Sequence, residues 1–209
     1  PPRTMGLDSV AVIVATFGDD QWAQMARRRA VPSAEAERPA ELIVRHGGAG
    51  EALHQVRNSA AADARAEWLC FLDADDQLEP GYLAALLAAS ADLRAPAVRY
   101  VVDGEPDPAP LVFASRNIAN MNPCVIGTLI RRELFAEAGG FWSERAWEDW
   151  SLFRRAWLLG ATIDHVPAAV YRVTVNPAGR NSTIDRPHSL HREILRSHAT
   201  WLRTRKARQ

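Results

Sequence analysis

The chain has 209 residues, enough for one domain of ordinary size with a short appendage. Its 47% hydrophobic and 24% charged residues exclude a disordered or fibrous chain. With 25 basic and 25 acidic side chains in balance, the molecule as a whole has no electrostatic bias toward nucleic acid or acidic surfaces.

Ser9 to Ala15 is a near-continuous apolar run rich in β-branched residues, which predicts a strand buried on both faces, as in a parallel sheet. Thr16-Phe17-Gly18-Asp19-Asp20 ends it, and the aspartates suit a helix cap. A helix through Trp22, Met25 and Ala26 follows. Glu41 to Val44 predicts a second short strand, closed by Arg45-His46-Gly47-Gly48-Ala49-Gly50. Glu51 to Glu67 reads as a helix, Trp68 to Leu72 as a third buried strand, and Gly81 to Ala91 as a helix with Leu83, Leu86 and Leu87 on one face. This alternation gives a doubly wound α/β sheet flanked by helices. Ligands of such sheets bind beyond the carboxyl ends of the strands. The loops after Ala15, Val44 and Leu72 therefore converge on one crevice.

The second half is less regular. Ala97 to Val102 predicts a strand, and the three prolines between Asp103 and Pro110 predict a surface loop. Val125 to Ile130 reads as a strand, Arg131 to Ala138 as a short helix stopped by Gly139-Gly140, and Trp147 to Leu159 as a helix ended by Gly160. Thr162 to Val173 reads as a hairpin or two short strands around Pro167. Asn176 to Pro187 is a polar, irregular loop. A last helix begins at Ser189 and carries Leu190, Ile194, Leu195, Trp201 and Leu202. The two cysteines, Cys70 and Cys124, read as buried thiols. No apolar run approaches the ~20 residues of a membrane span, and no signal-like segment is present. The expected location is cytoplasmic.

Asp73, Asp75 and Asp76 directly follow a buried strand. Three carboxylates so close repel one another unless a cation lies among them. Mg²⁺ and Mn²⁺ suit such oxygen ligands, and commonly bind through one or two carboxylates plus substrate phosphates. A solvated acidic turn capping the next helix is the plainer alternative.

The Phe71-Leu72-Asp73-Ala74-Asp75-Asp76 segment, with Glu79-Pro80-Gly81-Tyr82-Leu83 after it, resembles the nucleotide-sugar segment of family 2 glycosyltransferases, which share the GT-A fold. Further matches occur in the family's order from about residue 9 to residue 183. Val12 to Phe17 resembles the opening strand and its threonine-aromatic turn. Arg57-Asn58-Ser59-Ala60 resembles the Arg-Asn helix. Arg131 to Phe135 with Gly139-Gly140-Phe141 resembles the acceptor-side helix and turn. Trp147-Glu148-Asp149-Trp150 resembles the Glu-Asp motif. Val166-Pro167 with Tyr171-Arg172 resembles the closing strand.

The resemblance implies a GT-A domain over residues 1–185, with a mostly parallel central sheet, and a basic amphipathic tail over 186–209. It implies an inverting, metal-dependent transfer from a nucleoside diphosphate sugar, most readily a UDP-sugar, to an acceptor hydroxyl. Asp73 and Asp75 become ligands of Mn²⁺ or Mg²⁺ and of the donor, with Asp76 behind them. Thr16 and Phe17 lie against the base, and Arg57 approaches the nucleotide. Asp149, beside Glu148, becomes the general base, with indole walls from Trp147 and Trp150. Arg180, Asn181 and Ser182 lie in a loop that closes on the diphosphate.

The sequence departs from the family twice. His46 stands where an aspartate is expected against the base, which puts uridine in question. No histidine follows Tyr171-Arg172 at the spacing of the family's metal-reaching one; His188 and His191 lie further on, as stand-ins or as ordinary surface histidines. These departures keep open a non-catalytic module that binds a sugar nucleotide or carbohydrate. A nucleotidyltransferase of the same fold is the other alternative, although the Gly-rich basic signature it usually carries near the N-terminus is absent. The basic tail suits a peripheral membrane contact, another anionic partner, or a helix packed on the core. The acceptor is then a glycan, a lipid-linked glycan or another hydroxyl-bearing polymer, nucleic acid included.

Overall fold

The computed structural model describes residues 9–48, 50–176 and 187–207. In chain order the elements are β1 (Val10–Thr16), α1 (Asp20–Arg28), α2 (Ala30–Ala36), β2 (Glu41–His46), α3 (Leu53–Asp63), β3 (Trp68–Leu72), β4 (Gln77–Leu78), α4 (Tyr82–Ala88), β5 (Leu93–Val102), β6 (Glu105–Pro106), β7 (Leu129–Arg131), α5 (Arg132–Glu137), α6 (Glu148–Leu158), β8 (Ile163–Thr174) and α7 (Pro187–Lys206). The α/β architecture expected from the sequence is present. One sheet runs β2-β1-β3-β7-β5-β8-β4, with β6 paired to β5. The ladders β1–β2, β1–β3 and β5–β8 are parallel, whereas each antiparallel ladder registers two residue pairs.

All residues of β1 and β3 are buried. Every fully buried Val, Ile or Leu there contributes about 1.5–3 kcal/mol relative to exposure. The register sets Thr16 beside His46 and Val14 beside both Val44 and Leu72. The three parallel strands therefore end together, and the loops after them meet at one edge. Helix α1 starts there, with the Asp19 carboxylate accepting from Gln21 N at 2.9 Å.

Several boundaries differ from the sequence reading. Helix α2 was not among the expected elements. Pro32 is its third residue, where no i−4 carbonyl is available to lose a partner. The hairpin or two short strands expected around Pro167 are instead one 12-residue strand, β8. Its register to β5 jumps from Pro96↔Val166 to Ala97↔Val170, so Pro167 sits in an exposed bulge where its missing N–H costs nothing. The strand expected over 125–130 is shorter, because Thr128 N turns back to Val125 O at 2.8 Å. Helix α4 is shorter than expected and follows Gly81, at φ +83°. Both cysteines are buried free thiols. Among the described residues, no helix is long and apolar enough to cross a membrane.

Helix α7 packs on the core through Leu190, Ile194 and His198, all fully buried. Arg192, Arg196 and Arg203 are exposed along its outer side.

Candidate active site

Two acidic segments face each other across one buried guanidinium. The first is the turn after β3. Asp73 and Asp75 are half-buried there and Asp76 is buried. Asp76 Oδ1 accepts from Thr174 N at 2.8 Å, and Tyr171 Oη accepts from Asp73 N at 3.2 Å. Thr174 Oγ1 donates to Asp75 O at 2.6 Å. The end of β8 thus ties down the acidic turn, and Thr174 is the threonine of the Tyr171-Arg172-Val173-Thr174 stretch that lacks the family's histidine. Burial, with the charge of Asp73 second, raises the Asp75 carboxyl to about 6. Asp76 is raised well above the usual carboxylate range by burial and then by Asp73 and Asp75.

The second segment opens α6. Trp147 precedes it in the left-handed region, at φ +59°, a conformation that an indole side chain adopts only under constraint from its surroundings. Glu148 is buried and Asp149 is half-buried. Asp149 Oδ2 accepts from Asn122 Nδ2 at 2.9 Å, and its Oδ1 accepts from Trp150 N at 2.7 Å. Burial and then the neighbouring Glu148 charge lift Asp149 to about 6.

Arg57 joins the two. It is 2% exposed, donates to Glu148 Oε1 at 2.8 Å and pairs through its other terminal nitrogen with Asp73 Oδ1. Its guanidinium lies 5.1 Å from the Phe141 ring centroid. Burial opposes its charge, but Asp73 and Glu148 more than offset that, and its pKa rises. The adjacent Asn58 holds the same turn through the backbone: its Nδ2 donates to Phe141 O and its Oδ1 accepts from Phe141 N, both at 2.8 Å. The Arg-Asn pair on α3 therefore ties together the turn after β3, the start of α6 and the turn at Phe141.

At the β1–β2 end, Thr16 Oγ1 and His46 Nδ1 lie 2.8 Å apart, and His46 Nε2 lies 3.6 Å from the Asp20 carboxylate. Gly47 N donates to Thr16 O at 2.8 Å, and a Cβ on Gly47 would run into Val56. The loop after β2 is thereby held close to α3. Phe17 is 37% exposed next to this pair.

Trp150 forms no surface platform. It is buried, its indole N–H donates to Ile118 O at 2.9 Å, and His191 stacks on it at 5.0 Å. Trp147 is half-buried and remains available as a wall. His191 belongs to this contact, and His188 is exposed at the start of α7. Arg180, Asn181 and Ser182 lie outside the described residues. Asn122 was missed from the sequence: an Asn before a proline reads as a turn, and only the fold brings it to Asp149.

Among the described residues, no three His, Cys, Asp or Glu side chains form a metal cluster. The acidic turn offers two carboxylates, Asp73 and Asp75, the number that Mg²⁺ or Mn²⁺ commonly takes from protein when phosphates supply the rest. One oxygen of Asp73 is already engaged by Arg57. Burial, and second the Asp73 charge, hold the Asp75 carboxyl above its ordinary range, a cost that a bound divalent ion would relieve.

No curated protein matches the chain in sequence. Among solved structures, TarS 1-349 of S. aureus, crystallised in complex with UDP-GlcNAc, superposes with a TM-score of 0.63 at 17% identity. The match covers 92% of this chain and 66% of that one. A longer S. aureus TarS structure matches with a TM-score of 0.55 at 19% identity, over 81% of this chain and 37% of its own length. The chain thus spans just under two thirds of the first and well under half of the second, and at these identities the likeness is one of fold. The model of glycosyl transferase family 2 matches residues 19–158, a span running from the start of α1 to the end of α6. The acidic turn after β3 and the Glu-Asp helix lie within that span, with β1 before it and β8 after it, and the chain belongs to glycosyl transferase family 2.

Proposed function

We propose that the chain transfers a sugar from a nucleoside diphosphate sugar to an acceptor hydroxyl, with inversion and with a divalent metal ion. The observation that carries this reading is the Arg57 bridge, which sets a carboxylate of the acidic turn and the first turn of α6 on opposite sides of one guanidinium. Donor and base can then occupy one crevice.

In this reading Thr16, Phe17 and His46 face the nucleotide base, and Asp73 and Asp75 hold Mn²⁺ or Mg²⁺ with the diphosphate. A bound divalent ion offsets the charge that develops on the departing diphosphate. Asp149 takes the proton of the acceptor hydroxyl as that oxygen bonds to the anomeric carbon from the face opposite the diphosphate, and the configuration inverts. A carboxyl at about 6 is ionised at neutral pH yet basic enough to accept that proton. Glu148 acts through Arg57, and Trp147 walls the sugar. UDP is the proposed nucleotide, supported by the family and by the UDP-GlcNAc held in the TarS crystal. The exposed arginines of α7 fit an anionic acceptor polymer or a membrane surface carrying a lipid-linked one.

A thermal-shift panel of UDP-, GDP-, TDP- and CDP-sugars, each with and without Mn²⁺, tests the donor side. The expected result is a shift for UDP-sugars that requires metal. Equal shifts with and without Mn²⁺ contradict the metal site, and a shift confined to another nucleotide overturns uridine. Binding without any donor hydrolysis in Mn²⁺ marks a non-catalytic module.

A further inference from the structure

Residues 107–128 contain almost no regular structure, yet one turn within them is gripped from two helices. Three consecutive backbone carbonyls are each taken by a side chain. Ile118 O accepts from the Trp150 indole at 2.9 Å, Ala119 O accepts from Arg154 Nε at 3.0 Å, and Asn120 O pairs with His191 Nε2 at 2.9 Å. Trp150 and Arg154 are one turn apart on α6, and His191 is on α7. A carbonyl only accepts, so His191 carries its proton on Nε2. The His191 ring lies flat on Trp150, with the planes 10° apart.

Arg154 is itself held in place. Its NH1 lies 2.8 Å from Nδ1 of the buried His198 of α7. Arginine only donates, so Nδ1 accepts and Nε2 bears the proton. That proton points at Ser151 Oγ, 2.9 Å away, and the serine hydroxyl donates to Glu144 at 3.0 Å. Every member of the relay has one role that satisfies its neighbours.

The turn leads directly to Asn122. Its Oδ1 accepts from Cys124 N at 3.0 Å, which leaves the amide NH₂ for Asp149 Oδ2 at 2.9 Å. Flipping the amide would set NH₂ against an N–H and oxygen against a carboxylate, so the orientation is fixed. Arg116 NH1 holds the Asn122 carbonyl at 3.1 Å.

We infer that Asn122 is a positioning residue for Asp149, and that α7 serves catalysis by clamping the turn that presents it. The inference rests on the reading of Asp149 as the base. Helix α7 lies beyond the span matched by the family model, so family resemblance gives it no role. The amide donor fixes the rotation of the carboxylate and favours its ionised form, the form a base requires.

The test follows the side-chain amide of Asn122 by NMR in the ¹⁵N-labelled full chain, assigned with Asn122→Ala, between about pH 4 and pH 8, which brackets carboxyl titration. The amide is expected to shift in one step with Asp149, Asp149→Asn to abolish the step, and His191→Ala to reduce its size by half or more. An Asn122 amide that does not respond to pH overturns the proposal, whatever Asp149 does in catalysis. So does a full-sized step in His191→Ala.

UDP release from UDP-GlcNAc with Mn²⁺ supplies the second readout. Asn122→Ala should lower kcat by about tenfold or more, leave the donor KM within about twofold, and move the acid limb of kcat/KM to higher pH. Loss of turnover in Asp149→Asn with wild-type kcat and an unmoved acid limb in Asn122→Ala refutes positioning. Retained turnover in Asp149→Asn removes the base reading instead, while the amide titration still decides the contact. Triple-resonance assignment of the wild type replaces Asn122→Ala where that variant folds poorly; the wild type and Asp149→Asn then decide the contact, and His191→Ala decides the clamp.

Discussion

Replacing Arg57 with alanine removes the guanidinium between Asp73 and Glu148. Arg57 is 2% exposed and Glu148 8% exposed, so water cannot take over its role at Glu148 without opening the core. Breaking a buried ion pair from one side costs about 3–5 kcal/mol, because the remaining carboxylate loses its countercharge in the core. An exposed pair lost in the same way costs about 1 kcal/mol or less. A typical domain has only about 5–15 kcal/mol to lose. Urea denaturation reads the difference: with a slope near 2 kcal/mol/M, the midpoint should fall by about 1.5–2.5 M. A loss below about 1 kcal/mol would refute the claim that this guanidinium joins the two halves of the site.

Asp149→Asn should be more stable than the wild type at neutral pH. The native carboxyl at about 6 against an ordinary value of 3.8 corresponds to at most about 3 kcal/mol of cost for holding the charge. Losing one hydrogen bond returns about 1 kcal/mol of that, so Tm should rise by about 4–8 °C. The gain should fade toward acid pH, where the native carboxyl protonates. No gain at pH 7.5 contradicts the buried-charge account. In the wild type, kcat/KM should fall below a pH of about 6 as the same group protonates, and an acid limb near pH 4 contradicts its shift. Thr174→Val removes the hydroxyl that donates to Asp75 O, so the fold should lose about 1 kcal/mol while UDP-GlcNAc binding in Mn²⁺ weakens by about fivefold or more. Unchanged binding contradicts a role for the β8 end in shaping the acidic turn.

The first half of the fold was legible because its elements follow local rules. β1 and β3 are buried on both faces, so their apolar runs have no polar interruption, and the glycines after β2 announce the turn. Pro167 misled because proline is excluded only where its missing N–H or its ring meets a partner, and the bulge of β8 supplies neither. At the site, the motifs located Asp73, Asp75, Arg57 and Asp149, but the Arg57 bridge links positions 91 residues apart in sequence. Asn122 and His191 left no trace in composition or spacing. Their meaning comes from backbone carbonyls, which every residue possesses and no sequence marks. The indole of Trp150 was assigned to a sugar wall because aromatic flanks suit one, and the helix orientation turned it inward instead.

UDP release from UDP-GlcNAc in Mn²⁺ by the wild type and Asp149→Asn, measured beside donor binding, tests the proposed base most directly. The account predicts turnover in the wild type and a loss of about 100-fold or more in the variant, with donor binding largely intact. Wild-type-like release by Asp149→Asn would contradict it.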